Sequence, residues 1–309
     1  MQALAGLHTR AGAYFYAKIF SNMAREIIKL KPEEWPAGLR EINDPPKQLY
    51  LEGALPATDA IYLTVVGSRR ASRYGLDACE KLISGLANYP IVIVSGLAIG
   101  LDTVAHKSAL AAGLTTIAVP GSGLDRSVLH PPSNRLLADQ IVDAGGALLS
   151  ELAPKEPAGI HTFPRRNRLM AGIARAVLVV EAGEKSGTLI TARLALDYNR
   201  DVCAVPGSIF APTAFGTNQL IRQGATPVTT SEELLLALGY EPIEAAPALP
   251  TQLTLEEERV LTLLAVEAQP RDELIRQLGL PASTVNPLLA LMEIRGLIKE
   301  SLGEIRLTN

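Results

Sequence analysis

Between Ile61 and Val205 the sequence repeats one event: a short apolar run without polar alternation, a turn rich in glycine or serine, then a stretch of helical length. The runs are Ile61 to Val66, Ile91 to Val94, Thr116 to Val119, Ala147 to Leu149, Ala176 to Glu181 and Asp201 to Val205. A strand with one face in water alternates in polarity. Runs that do not alternate are buried on both faces, and a series of them separated by helices predicts a parallel sheet between two helical layers. The fold class is therefore α/β: an extended Rossmann-like, doubly wound, mostly parallel sheet.

The flanks differ in pattern. Residues 1–60 read as a short helical N-terminal lead-in, with a helix expected across Tyr14 to Leu30 before Pro32, Pro36, Pro45 and Pro46 break regular structure. The Rossmann-like domain is expected over 61–239. A linker follows over 240–253, signalled by Gly239-Tyr240-Glu241-Pro242, Ala245-Ala246-Pro247 and Pro250. Residues 254–309 then read as a small winged helix. Thr254 and Glu257 make a capping box, Val260, Leu261, Leu263 and Leu264 give the first helix, and Arg271 to Leu278 closed by Gly279 gives the second. A third opens at Ser283 and Thr284 and runs through Leu288, Leu291 and Met292, ahead of strands at Leu297–Lys299 and Glu304–Leu307.

A chain of 309 residues, 48% hydrophobic, can bury a full core and still build satellites. No apolar run is long enough to cross a bilayer, and His8, Arg10 and Lys18 stand where a signal peptide would need an apolar stretch, so no membrane partner and a cytoplasmic location are expected. Cys79 and Cys203 lie in helix and strand patterns and read as two buried thiols, which fits a reducing compartment. The formal net charge of −3 means that any site for a polyanion is a local patch.

Such a patch is legible at the ends of the strands. The turns Gly67-Ser68-Arg69, Ser95-Gly96, Gly121-Ser122-Gly123 and Lys185-Ser186-Gly187-Thr188 all fall at the carboxyl edge of a parallel sheet, where backbone amides and helix N-termini favour phosphate. Neither G-x-G-x-x-G nor a Walker motif is present. The densest signal is Phe163-Pro164-Arg165-Arg166-Asn167-Arg168, ahead of a helical stretch from Leu169 to Ala174. Guanidinium groups for phosphates beside an aromatic face for a base is the pairing expected of sequence-tolerant single-strand binding. Asp102 is expected to cap a helix from Thr103, Glu151 and Glu181 to hold arginines in place, and His106 and His161, isolated from other ligands, to play ordinary polar roles rather than bind metal.

Taken in order, Val66-Gly67-Ser68-Arg69, Ser95-Gly96-Leu97-Ala98-Ile99-Gly100-Leu101-Asp102, Ser150-Glu151, Phe163-Pro164 with Arg166-Asn167-Arg168, Ser186-Gly187-Thr188-Leu189-Ile190-Thr191-Ala192, Val205-Pro206-Gly207 and Gly216-Thr217-Asn218 resemble the DprA/Smf family from about Ile61 to Leu238. The resemblance implies a single-stranded DNA-binding recombination mediator, without catalytic residues or cofactor, that protects incoming DNA and loads RecA in natural transformation or related recombination. It also implies a homodimer, with the pairing surface near the end of the core, over Gly216 to Val228. Carried over by position, Arg69 and Ser186-Gly187-Thr188 hold phosphates, Phe163 stacks a base, Arg166 and Arg168 line the same pocket, and Asn167 braces the loop. The chain departs from the family at His130-Pro131, where a Tyr-Pro pair is usual.

Two other readings stay open. Glu181 close to Ser186-Gly187-Thr188 suits a nucleotide-binding or nucleotide-hydrolysing enzyme of a related Rossmann-like group. Ser283 to Arg295 suits a duplex-reading helix, against which the winged helix counts six basic residues to nine acidic ones over Thr251 to Asn309, so contact with a protein is its expected use.

Overall fold

The computed structural model describes residues 25–56, 60–240, 253–265, 267–301 and 303–307. Its chain divides into two compact units, Met1–Pro242 and Ile243–Asn309.

The first unit is built on a nine-stranded sheet of order β1-β2-β6-β5-β4-β3-β7-β8-β9. The strands are β1 (Ile28–Leu30), β2 (Leu49–Gly53), β3 (Ile61–Val66), β4 (Ile91–Ser95), β5 (Thr116–Ala118), β6 (Ala147–Ser150), β7 (Ala176–Val179), β8 (Asp201–Ala204) and β9 (Thr226–Pro227). Every pair from β6 through to β9 is parallel, and only β2 on β6 and β1 on β2 run antiparallel. The period of two along each strand explains the unalternated runs. Val66, Val94, Val177 and Val179 enter one core, whereas Leu63, Val65, Ile93 and Leu178 enter the other, so each strand is apolar on both faces.

The N-terminal expectation needs correction. Residues 14–24 lie outside those described, but Ile28–Leu30, the expected end of a helix, is strand β1, paired with Leu49–Leu51 of β2. Among the described residues of the segment the helical content is a 3-10 turn, Pro32–Glu34, and one short helix, Ala37–Glu41. Leu30, Trp35, Leu39, Ile42, Leu49 and Leu51 bury their side chains in the same core as the parallel strands. Strands β1 and β2 of this segment thus belong to the sheet, where β2 covers the edge that β6 would otherwise expose.

The second unit holds helices Leu255–Leu264, Arg271–Leu278 and Ala282–Ile294 and a three-stranded sheet of β10 (Gln269–Pro270), β12 (Glu304–Leu307) and β11 (Ile298–Ser301). Thr254 Oγ1 accepts the Glu257 N–H and Glu257 accepts the Thr254 N–H, closing the capping box. Its own core gathers Val260, Leu264, Leu274, Leu278, Val285, Leu289, Met292, Ile298 and Ile305. The linker expected over 240–253 lies outside the described residues except for Tyr240 and Leu253.

Candidate nucleic-acid interface

From β3 the chain winds outward one way through β4, β5 and β6, then crosses to β7 on the other side of β3 and winds outward through β8 and β9. At this switch point adjacent connections diverge and leave a crevice at the carboxyl ends of the strands. A cavity of about 560 Å3 lies there, walled by the turns after β3 and β7, by Ala98 and Asp102 beyond β4, and by Phe163, Arg166, Asn167 and Met170.

Helical geometry decides which arginines reach it. The helix begins at Thr162, not at Leu169, and runs to Ile173; Pro164 is tolerated because it sits in the first turn, where its missing N–H would have no partner. Phe163, Arg166, Asn167 and Met170, spaced three and four apart, share the face that lines the cavity. Arg165 and Arg168 turn elsewhere. Both pair with Glu151, Arg165 Nε at 3.1 Å, and Arg168 also bonds the Asp44 carbonyl, so the expectation that Arg168 lines the pocket is corrected: it ties the N-terminal segment to the core. Asn167, expected as a loop brace, lines the cavity instead.

Arg166 is 6% exposed and faces Asp102, itself 6% exposed, with Nη1 3.7 Å from Oδ2. Burial pushes the Asp102 carboxyl up despite Arg166, and burial lowers the guanidinium, which Asp102 offsets. Arg166 Nη1 also approaches the Met170 sulfur at 3.2 Å, and Nε finds no partner among the described residues. Asp102 does not cap the helix as expected. The helix starts at Leu101, Asp102 lies in its first turn, and its carboxylate accepts the Ala98 N–H at 3.3 Å.

On the rim, the Arg69 guanidinium stands 5.0 Å from the centroid of the Phe163 ring, a cation–π contact, and His130 meets the same ring edge-on at 6.0 Å. Across the cavity, Lys185 is exposed at the start of the Lys185-Ser186-Gly187-Thr188 turn, and Ser186 Oγ accepts the Thr188 N–H. The ten-residue helix Thr188–Asp197 adds the positive end of its dipole. Arg69, Arg70, Arg166 and Lys185 therefore concentrate positive charge in a chain that is acidic overall.

Of the residues expected at the site, the structure brings together Gly67, Ser68, Arg69, Phe163, Arg166, Asn167, Lys185, Ser186, Gly187 and Thr188. Ser95, Gly96, Gly121, Ser122 and Gly123 do not line it, and of the two turns after β4 and β5 it is Ala98, beyond β4, that does. Ser95 is fully buried and donates to the Val65 carbonyl; Ser122 is fully buried, donates to the Gly123 carbonyl and accepts the His130 N–H; Gly123 is buried as well. Gly96 and Gly121 serve as seats. A Cβ at Gly96 would stand 1.3 Å from Arg166 Nη1, and one at Gly121 2.6 Å from the Phe163 ring. Arg70 and Thr191, which sequence reasoning missed, also line the cavity, Thr191 one turn along the helix from Thr188.

Two smaller expectations divide. Glu151 does hold arginines. Glu181 does not: its carboxylate accepts Ser72 N–H, Ser72 Oγ and Thr213 Oγ1. His106 is fully buried against Thr116 Oγ1 at 2.8 Å, and both cysteines are free and buried. Among the described residues, no cluster of three or more His, Cys, Asp or Glu is placed to hold a metal ion, and no helix is long and apolar enough to cross a membrane.

Residues 26–239 match the family model described as DNA recombination-mediator protein A, and residues 244–303 match the DprA winged helix domain. The chain is 39% identical over 280 residues to protein Smf of Escherichia coli K12, covering 88% of this chain and 74% of that protein. It is 46% identical over 207 residues to the DNA processing protein DprA of Streptococcus pneumoniae, covering 67% of this chain and 72% of that one. Among solved structures it resembles S. pneumoniae DprA with a TM-score of 0.64 at 39% identity, covering 74% of this chain and 83% of that one. It resembles Helicobacter pylori DNA processing protein A, described for its single-stranded DNA binding mode, with a TM-score of 0.62 at 29% identity, covering 69% and 95%. The chain belongs to the DprA/Smf family of DNA recombination mediators.

Proposed function

We propose that the protein binds single-stranded DNA in the switch-point cleft and acts as a recombination mediator, not an enzyme. The observation that carries this reading is the pairing, within one cavity, of a stacking aromatic with positive charge: Arg69 lies over the Phe163 ring, and Arg166 and the Lys185–Thr188 turn line the same cavity. Phosphates suit the guanidinium groups and turn amides, and any base can stack on Phe163, so recognition is tolerant of sequence. Arg166 lines the same cavity and adds to the positive field that a phosphate there would meet. The enzymatic alternative loses its motivation with Glu181, whose oxygens are taken up by Ser72 and Thr213.

In this reading the bound strand is protected and handed to RecA in the cytoplasm, as natural transformation or related recombination requires. The protein pairs with a second copy through the end of the sheet over Gly216 to Val228, where β9 presents an exposed edge. The winged helix meets a protein partner and not a duplex groove, since Arg271, Arg276 and Arg295 are held by Glu300, Glu273 and Glu257.

Titrating a fluorescent oligothymidylate at several salt concentrations tests the proposal. Binding that weakens as salt rises and exceeds binding to a duplex of equal length is expected. Absence of binding at low salt contradicts it.

A further inference from the structure

A second cavity, of about 530 Å3, opens at the same carboxyl rim. One stretch of chain walls both: Gly67 to Arg70, in the turn after β3, the first, and Ser72 and Tyr74, at the start of the helix Arg73–Ser84, the second. The segment after β7 repeats this, with Val180 and Glu181 lining the second cavity and Gly183 the first. The two are neighbours, and the turn and helix start between them carry the exposed residues Arg69, Arg70 and Arg73. Among the described residues Arg73 pairs with Asp77, one helical turn on and itself exposed, a partner that competes weakly with phosphate.

The second cavity has a different chemistry from the first. Its walls include Val180, Val205 and Pro206, and its aromatic, Tyr74, is anchored by its hydroxyl to the Pro206 carbonyl at 2.7 Å while the residue stays 54% exposed. The buried Glu181 carboxylate contributes negative charge, and the hydroxyls of Ser72 and Thr213 are already committed to it. A phosphate is therefore repelled, whereas a flat, uncharged ring is accommodated. At the tip of the turn between the wall residues Ser208 and Ala211, Ile209 and Phe210 are 85% and 89% exposed, an apolar pair that no packing among the described residues uses.

We infer that this cavity takes a nucleobase of the same DNA strand that occupies the first, with the intervening phosphates crossing the Arg69–Arg70–Arg73 turn and with Tyr74 and Phe210 as stacking faces. The inference rests on the reading of the first cavity as a single-strand site. The arginine turn that joins the two cavities favours a continuous strand over a protein ligand, which would meet the Glu181 wall without gaining from the arginines.

Photocrosslinking tests it, using oligothymidylates in which 5-iododeoxyuridine replaces thymine at one position after another. The expected pattern is one set of positions crosslinked at Phe163 or His130 and another, further along the strand, at Tyr74 or Phe210. In parallel, Phe210→Ala and Tyr74→Ala should weaken a long oligothymidylate about fivefold or more, with an unchanged salt slope, and leave unaffected one too short to leave the first cavity. Tyr74→Phe, which keeps the ring, should bind like the parent. Crosslinks confined to the first cavity, with both alanine variants binding long strands normally, would overturn the inference and assign the Ile209–Phe210 patch to a protein partner. If Phe163→Ala were equally without effect on the short strand, the parent reading would fall as well.

Discussion

Arg69, Phe163 and Arg168 lie within one sequence motif set but do different physical work, and variants separate them. Arg69→Ala should weaken single-strand binding and reduce the salt slope by about 0.7, the share of one phosphate contact on a single strand. Phe163→Ala should cost about 1 to 3 kcal/mol of stacking with the slope nearly unchanged. Arg168→Ala should do neither. Its 14% exposed guanidinium is committed to Glu151, 4% exposed, so its loss leaves a buried carboxylate with only the outward-lying Arg165 for company. Urea unfolding should show a loss of about 1 to 3 kcal/mol for this variant, with binding of the folded fraction intact.

His106 supplies a pH dependence of the fold. Desolvation pushes its pKa down to about 3, against 6.5 for the free side chain. As pH falls below about 6.5 the unfolded chain takes up a proton that the folded chain refuses, so this contribution is complete above that pH and is lost on acidification. Between pH 7 and pH 5 the loss amounts to about 2 kcal/mol, and His106→Gln should remove it. Asp102 works in the opposite sense, because burial raises its pKa and its contribution fades as pH rises through the carboxylate range, which is why the comparison must be between parent and variant.

At the scale of elements, the six core strands were legible because burial on both faces leaves a local mark, and the observed bounds fall within two residues of the expected ones. β1 and β2 left no such mark. Ile27, Ile28 and Leu30 fit a helical stripe equally well, and what makes Ile28–Leu30 a strand is its partner Leu49–Leu51, a non-local pairing that no periodicity contains. The same reasoning explains the half-read site. In sequence, Phe163 to Arg168 reads as a segment ahead of the helix, from which Phe163, Arg166 and Arg168 reach the ligand while Asn167 braces the loop; within a helix, successive side chains diverge by a quarter turn or more, and only one face lines the cavity. The Gly96 and Gly121 turns were legible as turns, but a glycine that lets a phosphate approach and one that seats an arginine or a phenylalanine look alike in sequence. Truncation checks the element-level claim: a chain beginning at Ile61 lacks Leu49 and Leu51 of the core and uncovers β6, and should aggregate or melt well below the parent in a thermal scan.

At the scale of the whole molecule, the proposed DNA site lies within the first unit, at the switch point of its sheet. Each unit has its own buried core. A chain ending at Tyr240 should therefore keep the parent's affinity for oligothymidylate within a small factor, and a large loss in the same fluorescence titration would mean that the acidic C-terminal unit contributes to the DNA site after all. The most direct measurement is a crystal structure with a short oligothymidylate. It should show a base against Phe163, a phosphate within hydrogen-bonding distance of Arg69 or Arg166, and another at Ser186 to Thr188; an oligonucleotide bound elsewhere, with this cleft empty of it, would contradict the account.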